Sequence, residues 1–426
     1  MTVAVFLGSL LGAMALGIPI AFSLLVSGVV LMYTMDIFDS QIMAQNLIDG
    51  ADNFPLLAIP FFILAGEIMN AGGISKRIID FAMALVGHIK GGLGYVAILG
   101  SVIFAGLSGS AVADAAALGA ILIPMMVAAG YNKNRSAGLI ASGAIIAPVI
   151  PPSIPMIIFG VTSGVSITKL FMAGIIPGLL LAVGLTIAWF LIVRKDQYKV
   201  FPKKSGKEIL RASGQAIWAL FLPVIIIAGL RGGAFTPTEA AVVAAFYALF
   251  VSVVIYRELK LQDLYRVLVS SGKMTSVVMF LAAAALVSSW LITVANIPNE
   301  LTTMLGPLMD NQLLLLMMIN LVVFLVGTAM DLTPTILILT PVLMPIVIAG
   351  GIDPVLFGLL FVLNCSIGLL TPPVGTVLNV VAGVGKLSME DIMKGVWPFL
   401  LVELIVLLLL TLFPQIVLVP LGWFTS

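Results

Sequence analysis

The sequence predicts an all-α polytopic membrane protein built from two related halves, and three observations carry that prediction. Of 426 residues, 61% are hydrophobic and only 9% are charged, with a mean hydropathy of +1.23. A soluble domain carries about 25% charged residues, and no soluble fold hides this much apolar surface. Apolar runs long enough to cross a bilayer recur along the chain, and a set of Pro and Gly landmarks recurs at one fixed offset. The net charge of +1 offers no footprint for nucleic acid. One cysteine, Cys365, excludes a disulfide framework and thiolate metal clusters; one histidine, His88, excludes a His-rich transition-metal site.

Taken in order, the run from Met1 to Met35 would be roughly 52 Å long as one helix, against a hydrocarbon core of about 30 Å. It therefore holds two spans, parted near Gly17-Ile18-Pro19. The start lacks the basic n-region of a signal peptide and reads as a retained first span. An amphipathic stretch at 38–50 precedes a crossing at 53–72, and the polar segment 74–90 reads as a helix lying in the interface. The stretch 92–128 has Gly and hydroxyl residues at its middle and reads as a hairpin; 132–163 is interrupted by Pro151-Pro152; 170–193 crosses. A basic linker, 194–214, follows. Crossings at 215–231, 236–256 and 275–295 lead to a second Gly-centred hairpin at 311–349. A second Pro-Pro-interrupted stretch at 353–383 and a last crossing at 390–418 complete the chain.

Basic residues test this map. With the N-terminus outside and both hairpins returning to the side they left, 18 of 20 Lys and Arg fall on one side. They are Lys76, Arg77, Lys90, Lys133, Arg135, all seven from Arg194 to Arg211, Arg257, Lys260, Arg266, Lys273, Lys386 and Lys394; only Lys169 and Arg231 lie opposite. Such a bias makes the basic side cytoplasmic, so both termini are expected on the opposite side. The other side carries Asp36, Asp39, Asp49, Asp52, Glu300, Asp310 and Asp353. Parity is the same for a re-entrant hairpin and for two full crossings, so charge leaves both open.

Adding 221 carries Gly106 to Gly327, Pro124 to Pro345, Gly130 to Gly351, Pro151-Pro152 to Pro372-Pro373, Gly174 to Gly395 and Pro177 to Pro398. Leu and Ala matches are cheap in such a chain, whereas each Pro or Gly fixes an unusual backbone feature. Upstream the register drifts, yet Pro19 pairs with Pro237 and 38–50 with 260–271. Each half, 1–193 and 215–426, then holds five crossings and one hairpin. Five is odd, so the second half is inverted, as in secondary transporters. Duplication in a membrane protein with no transport role is the competing reading.

Two features interrupt each half at membrane depth. They are Gly106-Leu107-Ser108-Gly109-Ser110 and Pro151-Pro152-Ser153 in the first, Gly327-Thr328 to Asp331 and Thr371-Pro372-Pro373-Val374-Gly375-Thr376 in the second. Proline frees upstream carbonyls, which in hydrocarbon cost several kcal/mol each unless satisfied. Na⁺ wants several oxygens, and those carbonyls with nearby hydroxyls supply them. Candidate ion ligands are Ser108, Ser110, Ser153, Thr328, Thr371 and Thr376. Helix N-termini beside the breaks favour an anionic substrate, with Ser108, Ser153, Thr376 and Asn379 as its candidate contacts. A single Pro-Pro or Ser-Gly-Ser is more simply a kink; four at paired positions favour an ion site. Asp114 and Asp331 read equally as site carboxylates or N-caps. Glu67 and Glu239 lie near membrane ends, and Glu403 faces a partner helix or the bilayer edge. With no Lys or Arg at membrane depth, a substrate anion must be held by dipoles, hydroxyls and bound Na⁺. Gly106-Leu107-Ser108-Gly109 spells the GxSG of intramembrane serine proteases, but His88 falls in the interfacial segment, so no base is placed for a nucleophile. The chain has no P-loop for ATP.

Pro60-Phe61-Phe62-Ile63-Leu64-Ala65-Gly66-Glu67, Ser108-Gly109-Ser110 through Asp114 to Gly119, Pro151-Pro152-Ser153-Ile154 and Thr371-Pro372-Pro373-Val374-Gly375 occur in that order. In these motifs the chain resembles the large membrane subunit (M, DctM-type) of tripartite ATP-independent periplasmic (TRAP) transporters, including those for sialic acid. The resemblance covers essentially the whole chain and departs at Leu356, where many members carry His. It implies an elevator-type fold and Na⁺-driven import of organic acids, chiefly C4-dicarboxylates and sialic acids. It also implies a small membrane Q subunit and a periplasmic substrate-binding protein as partners. Because the chain starts directly on the large-subunit pattern, Q is expected as a separate polypeptide. It implies about two Na⁺ sites. The first would join Ser108, Gly109 and Ser110 to Pro151, Pro152 and Ser153. The second would join Gly327, Thr328 and Asp331 to Thr371, Pro372, Gly375 and Thr376. A stand-alone Na⁺/divalent-anion symporter and a passive channel are the alternatives.

Overall fold

Prolines, positive-φ glycines and short polar side chains set the helix ends. A computed structural model describes residues 2–194, 198, 200–297, 300, 303, 306–309 and 311–425, and among these every regular element is helical. Helices α1 (Thr2–Ala15) and α2 (Ile20–Thr34) part at Gly17, φ +82°, and Pro19. The Asp39 carboxylate accepts from Gln41 N and Ile42 N to start α3 (Ser40–Ala51). A 3₁₀ turn at Phe54–Leu57 leads into α4 (Ala58–Ala71), followed by the amphipathic α5 (Ile74–Val86). Then come α6 (Gly92–Ser108), α7 (Ala111–Ala128), α8 (Lys133–Ala144), α9 (Ile154–Ser163) and α10 (Ile167–Val193).

Beyond the linker stand α11 (Gly206–Arg231), α12 (Pro237–Phe250) with a π turn at Val251–Ile255, α13 (Leu261–Val294) and the short α14 (Gly306–Met309). The chain ends with α15 (Gln312–Ala329), α16 (Leu332–Ala349), α17 (Pro354–Gly368), α18 (Thr376–Gly385), α19 (Met389–Leu412) and α20 (Gln415–Thr425). Among the described residues, nine helices are long and apolar enough to cross a membrane. The offset read from Pro and Gly holds for whole elements. Adding 221 to the bounds of α7 gives those of α16, and α8, α9 and α10 map onto α17, α18 and α19 within a few residues.

Three boundaries differ from the sequence reading. The linker is shorter than 194–214, because a capping box between Ser205 and Glu208 starts α11 at Gly206. The crossing placed at 275–295 belongs to one 34-residue helix beginning at Leu261. In the first half the chain breaks at Asp52-Asn53-Phe54-Pro55, whereas the matching stretch Ser270-Ser271-Gly272-Lys273 has no proline and continues as helix. The last crossing, placed at 390–418, ends at Leu412, because Pro414 cannot donate to a continuing helix. Lys195, Lys199 and Asp310, used above for sidedness, lie outside the described residues.

Packing sorts the helices into two groups. In one, α4 packs on α12, α5 on α11, and α13 on α2, α3 and α4. In the other, α7 packs on α8, α15 on α17, and α10 on α19. Arms are exchanged between halves in the second group: α7 lies on α18, and α16 lies on α9. Contacts of α13 with α16, and of α4 and α5 with α6, join the two groups.

Candidate functional site

Each hairpin ends on the break of its own half's interrupted helix. In the first half, Gly109 turns the tip with φ +61°, a conformation that favours glycine. A Cβ there would stand 2.4 Å from Pro152 O, so the tip backbone rests directly on the Pro-Pro break. Ser110 accepts from Ala113 N and caps α7, and Ser153 accepts from Met156 N and caps α9 while donating to Pro148 O. The peptide bonds Pro151-Pro152 and Pro372-Pro373 are both cis.

Asp114 is not the cap of α7, since Ser110 holds that position; it lies in the first turn and is buried. The Ser108 hydroxyl accepts from Ser110 N and donates to Asp114 Oδ1, and Asp114 Oδ2 has no protein partner. Thus Ser108 is held by a carboxylate, and a serine nucleophile paired with His88 is absent from this tip. Sequence reasoning left Asp114 between two roles; the signal that separates them is Ser110 four residues earlier, the better cap.

In the second half the tip and break are stitched by backbone. Val374 N donates to Thr328 O at 3.1 Å, and Gly327 lies against Cys365 and Gly368 so closely that a Cβ on Gly368 would come within 2.6 Å of the Gly327 backbone. Asp331 stands at the N-cap of α16, but its side chain caps nothing; it accepts from the Thr376 hydroxyl at 3.3 Å. Thr371 donates to Ile367 O and Thr328 to Leu325 O. Gly375, φ +48°, turns the chain into α18, whose Asn379 amide donates to Val374 O.

Between the two tips lies one cavity of about 860 Å³. Its walls are Gly109 to Val112 and Asp331 to Pro334 from the tips, Pro148, Ile154, Pro155, Leu369 and Thr376 from the breaks, and the start of α2 with residues 274–281 of α13 from the other helix group. Of the four residues expected to touch substrate, Thr376 lines this cavity. Ser108 and Ser153 are buried behind it, and Asn379 is turned onto Val374. Among the described residues no cluster of three or more His, Cys, Asp or Glu could hold a metal ion.

Residues 7–416 match the family described as "Tripartite ATP-independent periplasmic transporter, DctM component". The chain is 57% identical, over 99% of its length and 100% of the relative, to the 2,3-diketo-L-gulonate TRAP transporter large permease of Escherichia coli K12. It is 42% identical to the sialic acid TRAP transporter large permease of Vibrio cholerae, covering 95% of each chain. It is 39% identical to the C4-dicarboxylate TRAP transporter large permease of Pseudomonas aeruginosa, covering 89% of each. These relatives are transporter permeases, not enzymes. Among solved structures, the YdaH transporter of Alcanivorax borkumensis matches 92% of this chain and 91% of its own with a TM-score of 0.62. At 14% identity that likeness concerns the fold alone.

Proposed function

This chain belongs to the DctM component family of the tripartite ATP-independent periplasmic transporters, and from that premise we propose that it is the subunit through which an organic acid anion crosses the inner membrane, coupled to Na⁺. The observation that carries this is the convergence of two hairpin tips and two helix breaks on one cavity, with the second oxygen of buried Asp114 left without a partner. A carboxylate oxygen, the Ser108 hydroxyl and the carbonyls around Pro151 and Pro152 are hard donors of the kind Na⁺ takes. Thr328, Asp331, Thr371, Gly375 and Thr376 offer the equivalent set in the second half, with Gly327 and Pro372 shaping the backbone. Na⁺ held at both tips would draw the anion to the cavity between them, where helix N-termini add positive potential.

The domain division proposed is an inverted pair, 1–193 and 215–426, joined on the cytoplasmic side, with both termini periplasmic. The group containing the hairpins and broken helices would move against the group built from α1 to α5 and α11 to α13, giving elevator-type alternating access. Identity favours a sugar-acid anion like that of the diketogulonate relative over sialic acid or a C4-dicarboxylate. A small membrane subunit and a periplasmic binding protein complete the machine.

The test is uptake into proteoliposomes. Accumulation should require a Na⁺ gradient, the small subunit and the binding protein together, whereas flux through this chain alone would point to a stand-alone symporter or a channel. Ser108→Ala and Thr371→Ala should each weaken Na⁺ dependence while leaving assembly with the small subunit intact; an unchanged Na⁺ titration in both would refute the assigned sites.

A further inference from the structure

Glu403 lies at the middle of the 24-residue α19, fully buried, and both of its carboxyl oxygens lack a hydrogen-bond partner. It faces α8. The Ser142 hydroxyl, also fully buried and also without a bond of proper geometry, is the polar group beside it. One residue on, Gly143 leaves room for the Ser101 hydroxyl of α6, a third buried oxygen without a partner; a Cβ at Gly143 would stand 2.4 Å from it. Charge on the surrounding elements is remote. On α8 the basic residues are Lys133 and Arg135 in the first turn, roughly 10 Å or more along the helix from Ser142. Lys169 stands in the first turn of α10, and Lys386 caps the far end of α18. On α19 itself Lys394 is paired with Glu390 in the first two turns beside Asp391, and α6, α15 and α17 bring no charged side chain.

A fully buried carboxylate with one hydroxyl beside it and no counter-charge is not tolerated in such surroundings. We propose that Glu403, with the Ser142 hydroxyl, binds a monovalent cation, H⁺ or Na⁺, at a site separate from the two tip–break sites. The position gives that cation a route to influence transport. Ser142 stands in the last turn of α8, and the chain runs from it straight into the 145–153 break on which Gly109 rests. The α8–α19 contact is also one of those that join the two halves. The inference rests on the ion-coupled reading above, and its test separates the two.

In the complete reconstituted transporter, uptake is measured against Na⁺ concentration at several pH values for the wild type, Glu403→Gln and Ser142→Ala. If the cation is Na⁺, Glu403→Gln shifts the half-saturating Na⁺ concentration by about tenfold at fixed pH. If it is H⁺, Glu403→Gln flattens the pH profile and leaves the Na⁺ titration unmoved. In either case Ser142→Ala moves the same curve in the same direction by less. A Glu403→Gln transporter that matches wild type in both titrations overturns the proposal and leaves the group a structural carboxyl. Should Glu403→Gln fail to fold, unchanged curves in Ser142→Ala overturn it equally. Wild-type uptake indifferent to Na⁺ would overturn the coupled reading instead.

Discussion

At the scale of single residues, Asp114 is the sharpest test of the first tip. Its Oδ1 holds Ser108 and its Oδ2 is unpartnered, so Asp114→Asn keeps the shape and removes the charge. The half-saturating Na⁺ concentration for uptake should rise about tenfold or more, roughly 1.4 kcal/mol, with no loss of the small subunit on purification. An unaltered Na⁺ titration would exclude the carboxylate as a ligand. Gly109 gives a second prediction. Alanine there meets both a left-handed φ and a Cβ 2.4 Å from Pro152 O, and neither is relieved by a rotamer. The cost of about 1–3 kcal/mol should appear as a lower Tm in detergent and as loss of any Na⁺-dependent rise in Tm. How legible these residues were depends on the range of the interaction. Tip and break glycines, prolines and hydroxyls stood out because each bends the backbone locally. The roles of Asp114 and Glu403 did not: Asp114 competes for the cap of α7 with Ser110 in the same turn, and the neighbour of Glu403 is set by α8, some 260 residues earlier.

At the scale of elements, the α8–α19 crossing is made by glycines. A Cβ on Gly138 would stand 2.4 Å from the Gly395 carbonyl carbon, and one on Gly395 would stand 1.9 Å from Asn134 O. Small residues let two backbones touch, the usual basis of close helix packing in lipid. Gly395→Val should force α19 off α8 at a cost of about 1–3 kcal/mol, read as a fall in Tm. Gly383→Ala, where a Cβ meets open space, is the control and should leave Tm nearly unchanged. Element positions were readable to within a few residues where proline or glycine marks the end, as at Gly17-Ile18-Pro19 and both hairpin tips, though the stop at Pro414 was missed. They were misread where hydropathy was weighed above a local signal, as at the Ser205–Glu208 capping box, or had to decide alone. The amphipathic start of α13 looked like a separate surface piece because its partner α3 is one, yet without a proline at 270–273 the helix simply continues.

At the scale of the whole molecule, the cavity wall and the proposed orientation together make a testable statement about which way the protein faces. Besides the tips, the cavity is closed by Pro19 to Phe22 at the start of α2 and by Met274 to Leu281 of α13. With the N-terminus outside, α1 delivers Pro19 to the basic side. Lys273, next to Met274, is one of the 18 Lys and Arg assigned to that same side. In the proposed orientation the cavity would open toward the cytoplasm, and the arrangement would be the inward-facing end of the proposed cycle. Sided labelling follows directly. In a Cys365→Ala background, Ser276→Cys should react with a membrane-impermeant maleimide supplied from the cytoplasmic face and be protected from the periplasmic face. Asp39→Cys, at the exposed start of α3, should show the opposite sidedness. If Na⁺, substrate and the binding protein supplied from the periplasm draw the hairpin group outward as proposed, the labelling rate at Ser276→Cys should fall. A rate that ignores all three would mean that the two helix groups do not move against each other, and alternating access would need another hinge. Labelling of Ser276→Cys from the periplasm would reverse the orientation deduced from the basic residues.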